Sequence, residues 1–242
     1  MRKKNDIQSA NPDNAPTEYE YEREEGNKRG NEYGNLNSMA ERTGLVGVWT
    51  KRAYLGTNEW IDYLRQADGE IKILCYSMAF LPEHPDFADV INEKLSEGHR
   101  VRILFGNPKG AYINARTVEM RTEGLISARI HTSVTRIRAI DNENLEYRFF
   151  DEPLYASIYE FGSTMLVTPQ LFARRSACAP LLMFEKTDGG LFDSYDEYFE
   201  EVWGSAEGEL EEGAEEDYGE YEEIEEIEET QETVEDDLGL RD

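Results

Sequence analysis

Three hydroxyl-bearing residues alternate along the stretch from Pro153 to Pro169: Tyr155, Ser157 and Tyr159. Side chains of a strand point alternately to its two faces, so these three and Phe161 are expected on one face, opposite Leu154, Ala156, Ile158 and Glu160. A row of hydroxyls can hydrogen-bond a ligand. It is poorly equipped to attack one, because a phenol near its ordinary pKa of about 10 is neutral at physiological pH and needs a base or a metal to become a nucleophile. Tyr76, Ser77 and Asn107 close two other apolar runs, and the carboxyl ends of strands are where open α/β sheets place their sites. Taken singly, the tyrosines read as half-buried sheet residues and Asn107 as a turn former between Gly106 and Pro108. Together on one edge of a fold they form a candidate ligand-binding group.

A second group is electrostatic. Arg116, Arg121, Arg129, Arg136 and Arg138, with Lys109, make 109–138 the most basic part of an acidic chain. That stretch is a candidate site for an anion or for the chain's own tail, with an ordinary solvated helix face as the simpler reading. The two cysteines, Cys75 and Cys178, are too few for a disulfide framework and lack metal-ligand spacing. No metal site and no cofactor is expected.

These residues need elements to position them. The hairpin Pro153–Pro169 turns at Gly162-Ser163, with alternating aromatic and branched residues on both sides. Apolar runs at Leu45–Thr50, Ile71–Ser77, Val101–Phe105, Leu145–Phe149 and Leu181–Phe184 read as further strands. Helices are expected from a Thr57 cap through Leu64, from Pro85 to Leu95, across 111–140 and from Leu191 to Trp203. Within 111–140, Ile126, Ile130, Val134 and Ile137 form one apolar stripe; in the last helix Leu191, Tyr195, Phe199 and Val202 do so. Strand–helix–strand order at this spacing predicts an α/β fold, a mixed sheet flanked by helices.

Of 242 residues, 39% are hydrophobic, low for a fully globular chain. The net charge of −27 is concentrated at one end, because 206–242 holds 19 acidic residues against Arg241 alone. Residues 1–43 lack any hydrophobic period, so an unstructured lead, a domain over 44–205 and an acidic unstructured tail over 206–242 are expected. Tyr218, Tyr221, Ile224, Ile227 and Val234 interrupt the tail's charge, and a tail that binds a basic partner or mimics nucleic acid is one functional reading. The start, Met-Arg-Lys-Lys-Asn-Asp, opens no apolar segment, so neither a signal sequence nor a membrane span is expected, and a cytoplasmic setting is. The middle of the chain carries −7 of the total charge, which disfavours direct binding of nucleic acid.

Several strings occur together in order: Ile73-Leu74-Cys75-Tyr76 with Phe80-Leu81-Pro82-Glu83, Val101–Pro108, Leu154–Tyr159, Met165–Thr168, Ala179–Leu182 and Gly189–Tyr195. In these the chain resembles an uncharacterised phospholipase D-like domain family, found behind a helix-turn-helix in bacterial, especially actinobacterial, regulators. The resemblance implies a phospholipase D-like fold, and its active relatives carry His-x-Lys-x4-Asp on a hairpin of this kind. There the histidine attacks phosphorus and the lysine neutralises phosphate charge. Placed on this hairpin without gaps, those positions are Tyr155, Ser157 and Gly162. The second residues after His84, His99 and His131 are Asp86, Val101 and Ser133, never lysine. The resemblance therefore implies a regulatory or sensor module that binds an unknown small molecule or protein partner without cutting it, linked to transcription. By analogy with relatives that pair two single-motif copies, it also implies a homodimer. The competing enzymatic reading is a divergent phosphodiesterase or nuclease using Tyr155 or His131.

Overall fold

The computed structural model describes residues 36–208 apart from 123. Readings placed on 1–35 and on 209–242, including Tyr218, Tyr221, Ile224, Ile227 and Val234, lie outside the described residues, whereas Glu207, expected to be unstructured, pairs its backbone with Phe149 (2.8 and 2.9 Å).

Seven strands form one mixed sheet: β1 (Leu45–Trp49), β2 (Ile71–Cys75), β3 (Val101–Gly106), β4 (Leu145–Phe150), β5 (Ala156–Phe161), β6 (Thr164–Pro169) and β7 (Leu181–Glu185), in the order β1-β7-β6-β5-β2-β3-β4. β2, β3 and β4 are parallel, whereas β5 meets β2 antiparallel and β6, β7 and β1 continue antiparallel. β2 and β3 are buried at every position, as near-continuous apolar runs covered on both faces should be. Among the described residues, six α-helices accompany the sheet: α1 (Leu36–Thr43), α2 (Thr57–Arg65), α3 (Phe87–Ser96), α4 (Ala111–Met120), α5 (Leu125–Arg138) and α6 (Leu191–Ser205). The expected α/β class and flanked mixed sheet are what the chain adopts.

Several boundaries differ from expectation for identifiable reasons. α1 occupies residues assigned to the lead; a distant hydroxyl, that of Thr187, donates to Glu41 O (3.3 Å), and no local period announces such a contact. α2 is capped at Gly56, with Thr57 already helical, because Glu59 reaches back to accept the Gly56 N–H (2.9 Å). α3 starts after Pro85, at Phe87. The stretch 111–140 is two helices rather than one, since Arg121 and Gly124 both take left-handed backbone angles. The stripe itself holds in α5, where Ile130, Val134 and Ile137 are buried. In α6 the buried residues are Phe192, Phe199 and Trp203, and Leu191 is exposed. Tyr195, Phe199 and Val202 of the expected stripe do pack on the core, and Phe192 takes the place of Leu191 at its start.

The hairpin between β5 and β6 closes at Gly162-Ser163, as its sequence predicts. Gly162 sits at φ +66°, and a Cβ there would lie 2.7 Å from Gly69 N and 2.8 Å from Asp68 N. Asp68 accepts the Ser163 N–H (2.9 Å) and its hydroxyl (3.2 Å), which holds its carboxyl below the usual range. Gly162→Ala is expected to cost about 2–3 kcal/mol through left-handed strain and this backbone clash, read as a lower urea midpoint at unchanged m-value.

Alternation assigns Leu74, Leu104, Ile158, Val167 and Phe184 to one face, packed with Phe192, Phe199 and Trp203 of α6. The same face also carries charge. Lys72, Arg102 and Glu160, all buried, interrupt otherwise apolar strands. Arg102 forks onto Glu70 (Nε to Oε1, 2.6 Å; NH2 to Oε2, 3.0 Å) and onto Glu200 of α6 (NH1 to Oε2, 2.7 Å). Its guanidinium lies 5.2 Å from the Phe199 ring and 5.1 Å from Trp203. Lys72 contacts Asp196 and Glu200 (2.9 Å), with Glu160 at 3.7 Å. Two cations therefore serve four carboxylates. Burial and the neighbouring acids push Glu160 up to about 8, while Arg102 and Lys72 draw Glu200 down to about 2.

Candidate functional site

Because β2, β3 and β4 run in parallel and β5 runs against them, the ends of β2, β3 and β4 meet the start of β5 and the end of β6 along one sheet edge. Tyr76, Asn107, Asp151, Tyr155 and Gln170 follow or precede those ends. Asn107 shapes the turn into α4: its Oδ1 accepts the Lys109 N–H (3.0 Å), and its own N–H donates to Phe150 O (2.8 Å). The first turn of α4 is capped from β4, as the amides of Ala111 and Tyr112 donate to Asp151 (3.1 Å each). Only glycine fits at 110, where a Cβ would lie 2.3 Å from Asp151 Oδ1.

Beside this edge is a cleft of about 280 Å³ whose lining includes Tyr76, Tyr112, Arg116, Glu119, Gln170 and Phe172. Arg116, 8% exposed, is the hub of its floor. NH1 donates to Glu119 Oε1 (2.6 Å) and Leu171 O (3.1 Å), and NH2 donates to Arg174 O (2.6 Å) and Gln170 Oε1 (3.4 Å). Glu119 Oε1 also accepts the Ala173 N–H (2.5 Å). One ion pair on α4 thus clasps the loop after β6, where Ala173 adopts φ +52°. Tyr76 accepts the Leu154 backbone N–H at its hydroxyl oxygen and stacks on Phe150 at 6.1 Å. Burial pushes its phenol up, so it remains a neutral donor.

The sequence-predicted group divides. Tyr155 precedes β5 and is 71% exposed; its N–H points to the Tyr198 hydroxyl (3.4 Å). Ser157 is buried and accepts from Gln170 Nε2 (2.9 Å), reaching the cleft only through that amide. Tyr159 is not on an open face: it packs edge-on against Trp60 (4.9 Å) and Phe80 (5.8 Å), with its hydroxyl paired to the Cys75 thiol. Burial raises both Tyr159 and Cys75, the latter to about 12. Tyr159 is therefore covered on its own face by Trp60 and Phe80, which local alternation does not report. Ser77 is half-buried past the end of β2.

Of the five arginines, Arg116 alone lines the cleft. Arg121 ends α4, Arg129 and Arg136 are exposed on α5, and Arg138 donates to the Tyr147 hydroxyl (2.6 Å). Tyr112, Glu119, Gln170 and Phe172 had no sequence signal beyond lying on a helix or in a loop. Among the described residues, no group of three or more metal-ligating side chains converges, and no helix is long and apolar enough to cross a membrane.

No family model matches the chain, and no curated protein matches it in sequence. Solved structures do. TrmBL2, an archaeal chromatin protein described as showing a novel mode of DNA binding, is 15% identical at a TM-score of 0.44, covering 79% of this chain. The chain spans 65% of that protein's length. Nuc from Salmonella typhimurium, a phospholipase D family member, is 13% identical at a TM-score of 0.41, over 62% of this chain and 87% of its own. NucT from Helicobacter pylori is 13% identical at a TM-score of 0.42, over 67% and 98%.

Proposed function

We propose that this chain is a non-catalytic ligand-binding module of phospholipase D-like architecture, with the cleft floored by Arg116 as its binding site and a regulatory role. One observation carries the reading. At the position where the resemblance puts a phosphate-binding lysine, the chain has Ser157, buried and committed to Gln170. The nucleophile position is Tyr155, exposed outside the strand. The imidazoles are engaged or placed elsewhere: His84 Nε2 pairs with Asn58 (2.8 Å), His99 Nε2 lies 3.4 Å from Glu97, and His131 stands on α5. None of the three lines the cleft. Phosphoryl transfer through a covalent intermediate needs a nucleophile and a base in mutual reach, and that pairing is missing at this edge.

The test is hydrolysis of bis(4-nitrophenyl) phosphate, with and without Mg²⁺ or Mn²⁺, by wild type and Tyr155→Phe. Both are expected to stay at the buffer rate. Turnover that disappears in Tyr155→Phe would establish the phosphodiesterase reading instead.

A further inference from the structure

The groups at this edge that would ordinarily hold an anion are filled by the chain itself. A helix N-terminus offers free amides and a partial positive charge, but at α4 Asp151 takes the Ala111 and Tyr112 amides. Arg116 would be the natural phosphate fork. Both of its terminal nitrogens are already used, on Glu119, Gln170 and two carbonyls. An arriving phosphate would have to break that set and leave the Glu119 carboxylate facing it. Separating a largely buried pair in this way is strongly unfavourable, because it leaves a charge uncompensated.

What remains available has the opposite character. Glu119 Oε1 is doubly occupied, whereas Oε2 accepts no hydrogen bond from the described residues. Aromatic rings share the cleft with it: Tyr76, Tyr112 at 40% exposure and Phe172 at 85%. Ring faces attract cations, most strongly where water is partly excluded. The middle of the chain, which carries the cleft, has a net charge of −7, a mild field that favours cations over anions at its surface. The volume of about 280 Å³ falls just below the roughly 300–1,000 Å³ of sites for drug-sized molecules, so it suits a single ring with a short charged arm.

Resting on the ligand-binding reading of the cleft, we propose that the ligand is a small organic cation. Its ammonium group sits at Glu119 Oε2 and its apolar body lies against Tyr112 and Phe172. Phosphate esters are excluded.

Calorimetric titration of the full chain at pH 7 in 0.15 M NaCl with three matched probes tests this: benzyltrimethylammonium, benzyl alcohol and benzylphosphonate. The cation is expected to bind about tenfold more tightly than the neutral alcohol, and the phosphonate not at all. Glu119→Gln is expected to erase the preference for charge. Because Glu119 also clasps the loop, Phe172→Ala is the second variant: this side chain is exposed, and its loss should weaken the cation about fivefold with unchanged thermal unfolding. Phosphonate binding equal to or tighter than the cation would overturn the ligand class while leaving the cleft a binding site. Cation binding unaffected by Phe172→Ala would place the cation elsewhere and overturn the proposal. Silence from all three probes would overturn both the proposal and the binding-site reading beneath it.

Discussion

Replacing Arg102 with alanine is expected to destabilise the fold by about 3–4 kcal/mol, a large part of the roughly 5–15 kcal/mol that holds a domain together. Arg102 is 6% exposed and hydrogen-bonds Glu70 and Glu200 at once through its forked guanidinium. Its removal leaves both carboxylates beside buried Glu160, with Lys72 as the one buried cation near them and the more exposed Arg100 at 3.8 Å from Glu70. It also strips a guanidinium from the faces of Phe199 and Trp203, the residues that seat α6 on the sheet. Arg102→Lys should fall between alanine and wild type, because an ammonium is a point charge and cannot fork onto two carboxylates. Urea unfolding followed by tryptophan fluorescence reads the series. A loss under about 1 kcal/mol for alanine would mean that the network contributes little to holding α6.

The second large effect is a dependence of stability on pH that runs opposite to that of most carboxylates. Glu160 titrates near 8 in the folded chain, against an ordinary 4.5. Between those values the folded state keeps a proton that the unfolded state has lost, so raising the pH favours unfolding. The contribution of Glu160 is complete below pH 4.5 and disappears as pH rises through about 8. Its uncharged form also accounts for a structural detail, since Oε2 is buried without a hydrogen-bond partner, which a carboxylate tolerates far less than a carboxylic acid. Glu200, drawn down to about 2, acts in the other sense: its contribution is present above 4.5 and is lost as pH falls toward 2. The urea midpoint is therefore expected to decline from about pH 5 to pH 8.5. Glu160→Gln should flatten that decline and exceed wild type above pH 8. A wild-type midpoint that rises across the interval would show that Glu160 is ionised in the fold.

How much of this was legible beforehand depends on the range over which each feature is encoded. The strands of the hairpin and its Gly162 turn follow from alternation and from one positive-φ position, all within a dozen neighbouring residues. That Tyr155 and Ser157 alternate with apolar residues is likewise a property of neighbouring positions. The cleft is not. Arg116 and Arg174 are 58 positions apart, and Lys72 and Asp196 are 124 apart.

Two properties of this protein came from its sequence alone: the α/β alternation, which needs only local periodicity, and the fact that no histidine is followed two residues later by lysine, which needs only residue identity. The tertiary structure decided the rest. It turned Tyr159 under Trp60 and away from the cleft, placed Arg116 alone of five arginines in the cleft lining, and set Glu119 and Phe172 at one opening. A strand pattern specifies which side chains share a face, but whether that face is open depends on what the distant chain lays across it, and no local period carries that information.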